Sequence, residues 1–138
     1  MRKILFLDFD GVLHPSHFKE GTEFSRVRLL EDVFSNFNCE IVISSSWRFH
    51  YPISDLKQKL GKRLSEFVVG STDDAFQGQY ARYNEILEWL NFRGLCDWRA
   101  IDDSAFEFPA NCGNLILCDS RIGIDILQIK TLTDWLKF

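Results

Sequence analysis

Two aspartates stand two residues apart near the start of the chain, within Asp8-Phe9-Asp10-Gly11-Val12. Alternate side chains of an extended backbone point the same way, so this spacing predicts that Asp8 and Asp10 share one face. The glycine that follows permits a tight backbone turn. Two carboxylates so placed can divide a reaction, since one can attack as a nucleophile while its neighbour transfers protons. Calcium loops also combine Asp and Gly, but this stretch lacks the acid at the twelfth position that an EF-hand loop requires.

Further acids and hydroxyls come directly after short apolar runs in the rest of the chain. They are Ser44–Ser46 after residues 41–43, Asp102–Asp103 after residues 100–101, and Asp119 after residues 115–118. Each acid alone could simply cap a helix. If the apolar runs are parallel strands, however, their carboxyl ends meet at the edge of the sheet where ligands bind in open α/β folds. Carboxylates gathered there repel one another unless a cation neutralises them, and oxygen ligands suit Mg²⁺ rather than zinc.

The elements that must position these residues are short apolar runs alternating with segments of helical period. The predicted strands cover residues 4–7, 41–43, 67–69, 100–101 and 115–118. The predicted helices cover residues 25–37 with Ser25 as N-cap, a segment marked by Leu56, Leu60 and Leu64, residues 80–92, and a last segment through Leu132, Trp135 and Leu136. Residues 14–24 and 71–79 are the predicted loops. This alternation predicts an α/β fold, a three-layer Rossmann-like sandwich with a central, mostly parallel sheet of about five strands.

Length and composition narrow the possible classes of protein. The chain has 138 residues, a formal net charge of −4 and 46% hydrophobic residues, which fits one catalytic domain over residues 1–138. The mild acidity argues against wholesale electrostatic binding of nucleic acid. The apolar run after Lys3 is too short for a signal-peptide core, and no run approaches the length of a membrane span. The sequence therefore predicts a soluble, cytoplasmic protein with no membrane partner.

Four segments resemble, in order along the chain, the four motifs of the haloacid dehalogenase-like (HAD) superfamily. Leu5–Leu13 resembles the first motif, Ile41–Ser45 the second and Ala100–Asp103 the fourth. The third motif supplies a cation near the start of a helix, and Arg82 is the candidate, with Arg in place of the usual Lys. With the fifth strand and the last helix, the resemblance covers essentially the whole chain.

The resemblance implies a magnesium-dependent phosphatase. Asp8 would be the nucleophile that takes the phosphoryl group as an aspartyl-phosphate, and Asp10 would protonate the leaving oxygen and then activate water. Ser45 would hydrogen-bond the phosphoryl oxygens, with Ser44 as a one-residue alternative. Arg82 would neutralise charge on the phosphoryl group and the nucleophile. Superfamily members that cleave carbon–halogen bonds do not keep an acid at the position of Asp10, which favours phosphate-ester hydrolysis.

The implied Mg²⁺ site consists of Asp8, the backbone carbonyl of Asp10, and the paired acids Asp102 and Asp103. A metal ion there stabilises charge in phosphoryl transfer, a reaction that needs mainly alignment and electrostatic stabilisation.

The spacing of the motifs leaves no room for a cap domain. Only residues 14–24 separate the first motif from the first predicted helix, and residues 46–81 hold no more than a helix, a strand and a loop. An open site suits a bulky phosphorylated substrate, such as a polynucleotide end or a phosphoprotein. The serine run before Trp47, the helix from Arg82 to Leu90 and the Asp-Asp ending are most similar to HAD domains associated with RNA-repair proteins, which suggests a terminal phosphate on RNA or a nucleotide-like substrate.

Several polar residues near the second motif are candidates for substrate binding. Ser44, Ser46 and Arg48 are predicted substrate ligands, although Arg48 could instead pair with a local acid. Trp47 is predicted to pack in the core rather than to stack on a base. His14, His17 and His50 could form a metal site, but histidines near an acidic Mg²⁺ site are more often substrate contacts or solvated residues.

Two other classes compete with a phosphatase. The first is a catalytically idle HAD-like module that binds RNA or a partner protein, and the complete set of acids argues against it. The second is a receiver domain, in which the phosphorylated Asp ends a later strand. Only Ser44–Ser46 stand at the corresponding place, which disfavours that class.

Overall fold

A computed structural model describes all 138 residues, Met1–Phe138. The strands are β1 (Arg2–Leu7), β2 (Glu40–Ile43), β3 (Val68–Ser71), β4 (Cys96–Asp102) and β5 (Leu115–Leu117). The helices are α1 (Val27–Phe34), α2 (Ile53–Leu60), α3 (Lys62–Ser65), α4 (Ala81–Leu90) and α5 (Ile126–Leu136), with 3₁₀ helices at Ser46–Phe49 and Ala105–Glu107. All strands pair in parallel in the order β3-β2-β1-β4-β5. The predicted α/β fold with a five-stranded parallel sheet is confirmed.

Strand β1 lies at the centre of the sheet and is covered on both faces, which explains its unbroken apolar sequence. Leu5 and Leu7 belong to the larger core, under helices α1, α2, α3 and α5. Ile4 and Phe6 belong to the smaller core, under α4. The alternation of strand side chains thus divides the interior into two cores and gives the predicted three layers.

The helix boundaries differ from the predicted ones where local backbone geometry intervenes. Helix α1 begins at Val27, so Ser25 lies outside it and Arg26 occupies the N-cap without a side-chain hydrogen bond. The helix predicted around Leu56, Leu60 and Leu64 is divided into α2 and α3 by Gly61, whose φ of +91° cannot continue a right-handed helix.

The segments between the motifs contain no inserted domain. Residues 14–24 form turns and an isolated bridge, and residues 46–80 contain only a 3₁₀ helix, α2, α3, β3 and a loop. No cap covers the carboxyl edge of the sheet. None of the helices has both the length and the apolar character that crossing a bilayer requires.

Candidate active site

Three carboxylates converge at the carboxyl edge of the sheet. Because β1 pairs with β4 in the register Leu7↔Ile101, the next residues, Asp8 and Asp102, lie side by side. One carboxylate oxygen from each of Asp8, Asp102 and Asp103 lies within 4.8 Å of the others. Asp8 and Asp102 are buried, and Asp103 is partly exposed. The structure thus joins acids that are separated by more than ninety positions in the sequence.

Burial and mutual repulsion make this cluster electrostatically costly when it is fully ionised. Burial raises the pKa of Asp8 well above its ordinary value, the neighbouring Asp102 raises it further, and Arg82 opposes both effects. Burial raises the pKa of Asp102 to about 6, although Arg82 and the backbone N–H of Ser104 lower it. The cluster therefore favours the uptake of a cation or of protons.

Arg82 is the protein's own cation at this cluster. It follows Tyr80 by two residues, and Tyr80 enters α4 with a φ of +55°, a left-handed conformation uncommon outside glycine. The Arg82 Nη1 atom lies 2.7 Å from Asp102 Oδ2 and 3.4 Å from Asp8 Oδ1. The guanidinium also lies 3.7 Å from Glu85 and 3.8 Å from Glu107. Burial opposes the charge of Arg82, but these carboxylates together raise its pKa above the ordinary value.

Gly11 leaves the space that the Asp103 carboxylate occupies. Its φ is +74°, and a Cβ atom added there would lie 2.0 Å from Asp103 Oδ2. The loop after β5 supports the same turn, because the Ile124 N–H donates to the Val12 carbonyl at 2.8 Å. A Cβ atom on Gly123 would lie 2.6 Å from that carbonyl oxygen. Both glycines therefore permit close approaches that a side chain would block.

The donor set fits Mg²⁺. The three carboxylates offer hard oxygen ligands, and no His or Cys belongs to the cluster. The space beside Gly11 also lets Asp103 reach the other two acids. The Asp10 carboxylate lies outside this cluster, because its oxygens face His14 and Trp47.

The three serines after β2 have different environments. The Ser44 hydroxyl is buried and has no hydrogen-bond partner, and its N–H donates to the Leu7 carbonyl at 2.9 Å. The Ser45 hydroxyl accepts the Trp47 N–H at 3.2 Å and caps the 3₁₀ helix. Ser46 is exposed. The Ser44 hydroxyl therefore has no partner in the protein, whereas the Ser45 hydroxyl accepts one hydrogen bond and keeps its proton for donation. The hydroxyl of Thr72, after β3, is also buried without a partner.

Arg48 occupies a different place from the predicted one. Its Nη1 atom donates to the carbonyls of Ser44 and Ser45, its Nε atom donates to the carbonyl of Asp73, and its Nη2 atom donates to Glu85 at 3.0 Å. The side chain is 4% exposed. The prediction of substrate contact is corrected, because every guanidinium nitrogen is engaged inside the protein. Arg48 instead pairs with a local acid, Glu85, which is the other expectation from the sequence.

Asp10 faces two aromatic N–H donors. His14 Nε2 lies 2.8 Å from Asp10 Oδ1, and the Trp47 indole N–H donates to Asp10 Oδ2 at 3.0 Å. The Asp10 side chain remains 45% exposed. Trp47 packs against the core as predicted, but its contact with Asp10 was not predicted. His14 is fully buried, whereas His17 and His50 are exposed. The sequence feature that could have indicated the contact of His14 with Asp10 is their spacing of four residues.

Asp8 after the central strand, paired acids after the adjacent strand and a cation at the start of α4 define a core of the HAD superfamily. The family model described as the HAD domain in Swiss Army Knife RNA repair proteins matches residues 4–128, and the chain belongs to that family. No curated protein and no solved structure matches the chain. The resemblance to the superfamily and to its RNA-repair members is confirmed.

The close approach of Gly11 to Asp103 predicts that Gly11→Ala weakens metal binding. The new methyl group would displace the Asp103 carboxylate, and the positive φ would cost about 1–2 kcal/mol of unfolding free energy. Thermal unfolding with and without Mg²⁺ should show a lower melting temperature and the loss of the Mg²⁺-induced increase. Gly21→Ala is the matched control, because Gly21 also has a positive φ (+89°) but has no atom within 4 Å of the added Cβ. An undiminished Mg²⁺ shift in Gly11→Ala would contradict this role.

The raised pKa of Asp102 predicts that the metal-free protein loses stability as the pH rises. Its folded pKa of about 6 lies above the ordinary value of 3.8 for an aspartate, so the folded state binds more protons than the unfolded state between these pH values. The unfolding free energy of the wild type, relative to Asp102→Asn, should therefore fall as pH rises through this window and stay low above it. Chemical denaturation of both proteins at pH 4 to 8 in EDTA measures the difference. If the unfolding free energy of the wild type relative to Asp102→Asn instead rose with pH, the raised pKa of Asp102 would be contradicted.

Proposed function

We propose that this protein is a magnesium-dependent phosphatase that hydrolyses phosphate monoesters through an aspartyl-phosphate on Asp8. The observation that carries the proposal is the position of Asp8, which is buried beside Arg82 and the acids Asp102 and Asp103 at the end of the central strand of a HAD-family core. The family supports phosphatase chemistry in general, and the residues named below make the proposal specific.

In the first half-reaction, a carboxylate oxygen of Asp8 attacks phosphorus, and the bond from phosphorus to the leaving oxygen breaks. Protonated Asp10 gives its proton to that oxygen, so the leaving group departs as an alcohol. Arg82 balances the charge of Asp8 and of the phosphoryl oxygens. The Ser44 hydroxyl, which has no partner in the protein, donates to a phosphoryl oxygen. Mg²⁺ held by the carboxylates would supply further positive charge for the phosphoryl group.

In the second half-reaction, Asp10 acts as the base. Its carboxylate takes a proton from a water molecule as the water oxygen attacks the phosphorus of the aspartyl-phosphate. The bond between phosphorus and Asp8 breaks, inorganic phosphate leaves, and Asp10 is again protonated for the next cycle. The partial exposure of Asp10 suits both steps, since the leaving group and the water must reach it.

For the substrate, we propose a phosphorylated nucleic-acid end. The matching family is described by its occurrence in RNA repair proteins, and no domain inserted between the motifs covers the site. With a net charge of −4, contacts to a polynucleotide must be local rather than spread over a basic surface.

Asp8→Asn should abolish Mg²⁺-dependent phosphate release, with a loss of at least about 10³-fold, because no other residue replaces a lost covalent nucleophile. The matched control is Asp119→Asn: Asp119 also follows a strand, but it pairs only with exposed Arg121. In Asp10→Asn, slow hydrolysis should allow mass spectrometry to detect the phosphoryl group on the peptide that contains Asp8. Full activity of Asp8→Asn would refute the mechanism. Failure of the wild type to turn over a broad panel of phosphate esters, together with tight RNA or protein binding, would instead favour an idle binding module.

A screen of substrates tests the proposed class. We expect kcat/KM for a 5′- or 3′-phosphorylated oligonucleotide to exceed that for small sugar phosphates by at least about tenfold, which corresponds to 1.4 kcal/mol of additional transition-state binding. Phosphate release at matched Mg²⁺ concentration is the measurement. Preference for a small metabolite would overturn the nucleic-acid assignment and leave the phosphatase mechanism standing.

A further inference from the structure

We propose that His14 and Trp47 are positioning residues that hold the Asp10 carboxylate in place for proton transfer to the leaving oxygen. This inference rests on the proposed function, in which Asp10 is the general acid and base. We call the three residues His14, Asp10 and Trp47 the Asp10 clamp.

The two hydrogen bonds of the Asp10 clamp restrain both carboxylate oxygens. His14 lies 2.8 Å from Oδ1 and Trp47 lies 3.0 Å from Oδ2, so rotation of the carboxylate would break both contacts. Each oxygen keeps another lone pair on which it can carry the transferred proton. Because the Asp10 side chain is 45% exposed, the clamp holds it without enclosing it.

The backbone of the following loop sets which nitrogen of His14 carries the proton. The Phe24 N–H donates to His14 Nδ1 at 3.1 Å, so that nitrogen must be an acceptor without a proton. A neutral imidazole then has its proton on Nε2, the nitrogen that faces Asp10. His14 therefore donates a hydrogen bond to Asp10 without placing a full positive charge beside the residue that must exchange protons.

Aromatic packing fixes the two donors. The ring of His14 contacts the rings of Phe18 and Phe24, with ring centroids 4.4 Å and 5.2 Å away. The indole of Trp47 contacts Phe9 and Phe24 at 5.6 Å and 5.5 Å. A histidine that served packing alone would be a poor choice in such surroundings, because both of its ring nitrogens must find partners there. Its partners are a loop N–H and the proposed catalytic acid.

The dependence of rate on the leaving group separates positioning from packing. A basic alkyl oxygen needs a proton as it leaves, whereas p-nitrophenolate leaves readily without one, so misplaced Asp10 should impair alkyl esters more than aryl esters. The readout is the ratio of kcat/KM for an alkyl phosphate to kcat/KM for p-nitrophenyl phosphate. This parameter reports formation of the aspartyl-phosphate and not its later hydrolysis.

Three substitutions and one control define the test. Trp47→Phe keeps an aromatic ring and removes the indole N–H, and His14→Phe removes the other donor. Each should lower the ratio by about tenfold, a part of the 10²–10⁴-fold that a placed acid contributes. His14→Gln retains an N–H donor and should recover part of the loss. Trp135→Phe is the matched control, because the Trp135 indole donates to Asp97 at 2.9 Å in another part of the molecule, and it should leave the ratio unchanged.

A second measurement does not depend on turnover and keeps the clamp testable if His14→Phe fails to fold. ¹⁵N NMR of the wild type should show His14 as the neutral Nε2–H form, and Asp10→Asn should shift the indole ¹⁵N–H resonance of Trp47. An unchanged ratio in a folded Trp47→Phe variant would overturn the positioning role, whether activity on both esters is retained or is lost equally. A wild type that hydrolyses neither of these esters nor a phosphorylated oligonucleotide would overturn the proposed function instead, and the NMR result would still decide whether the hydrogen bonds of the clamp exist.

Discussion

The burial of two like charges side by side is the constraint on which this site depends. Asp8 follows β1 and Asp102 ends β4, the parallel strand beside it. The topology therefore brings two carboxylates close together in a buried position. Such an arrangement is tolerable only with positive charge at hydrogen-bond distance. Arg82 supplies one such charge from the first turn of α4, and the three carboxylates beside it form a cluster that could hold a metal ion.

The same charge balance extends outward from the cluster. Glu85 lies 3.7 Å from Arg82 on one side and accepts a hydrogen bond from Arg48 on the other, and it also accepts the Phe76 N–H at 3.1 Å. Arg48 in turn holds the carbonyl of Ser44, the serine with the free hydroxyl. A buried network of alternating charges thus connects α4, the loop after β3 and the segment after β2. Through these contacts the network links the Arg82 guanidinium to the backbone of Ser44.

The parts of the site that could be predicted from the sequence depend on local patterns. An apolar run that ends in acids marks both a strand and its carboxyl end, and parallel topology then brings Asp8 and Asp102 together. The parts that could not be predicted depend on side chains reaching between loops. Whether Ser44 or Ser45 has the free hydroxyl depends on where a 3₁₀ helix begins, and no periodic pattern marks so short an element. The partner of Arg48 and the burial of His14 likewise depend on how loops fold back, which the composition of a polar stretch does not encode.

The loop after β5 supports the turn of motif one, so this turn cannot be fully held until that loop has been synthesised. The Ile124 N–H donates to the Val12 carbonyl, and the Ser16 N–H donates to the Ser120 carbonyl, more than one hundred residues further along the chain. A nascent chain that has emerged only as far as Asp103 already contains every acid of the cluster. It still lacks the residues that hydrogen-bond to the turn of the first motif. The residues up to Ile124 must therefore be synthesised before these hydrogen bonds can hold the turn that follows Asp8, and a translation product interrupted earlier would carry the acids of the cluster without that support.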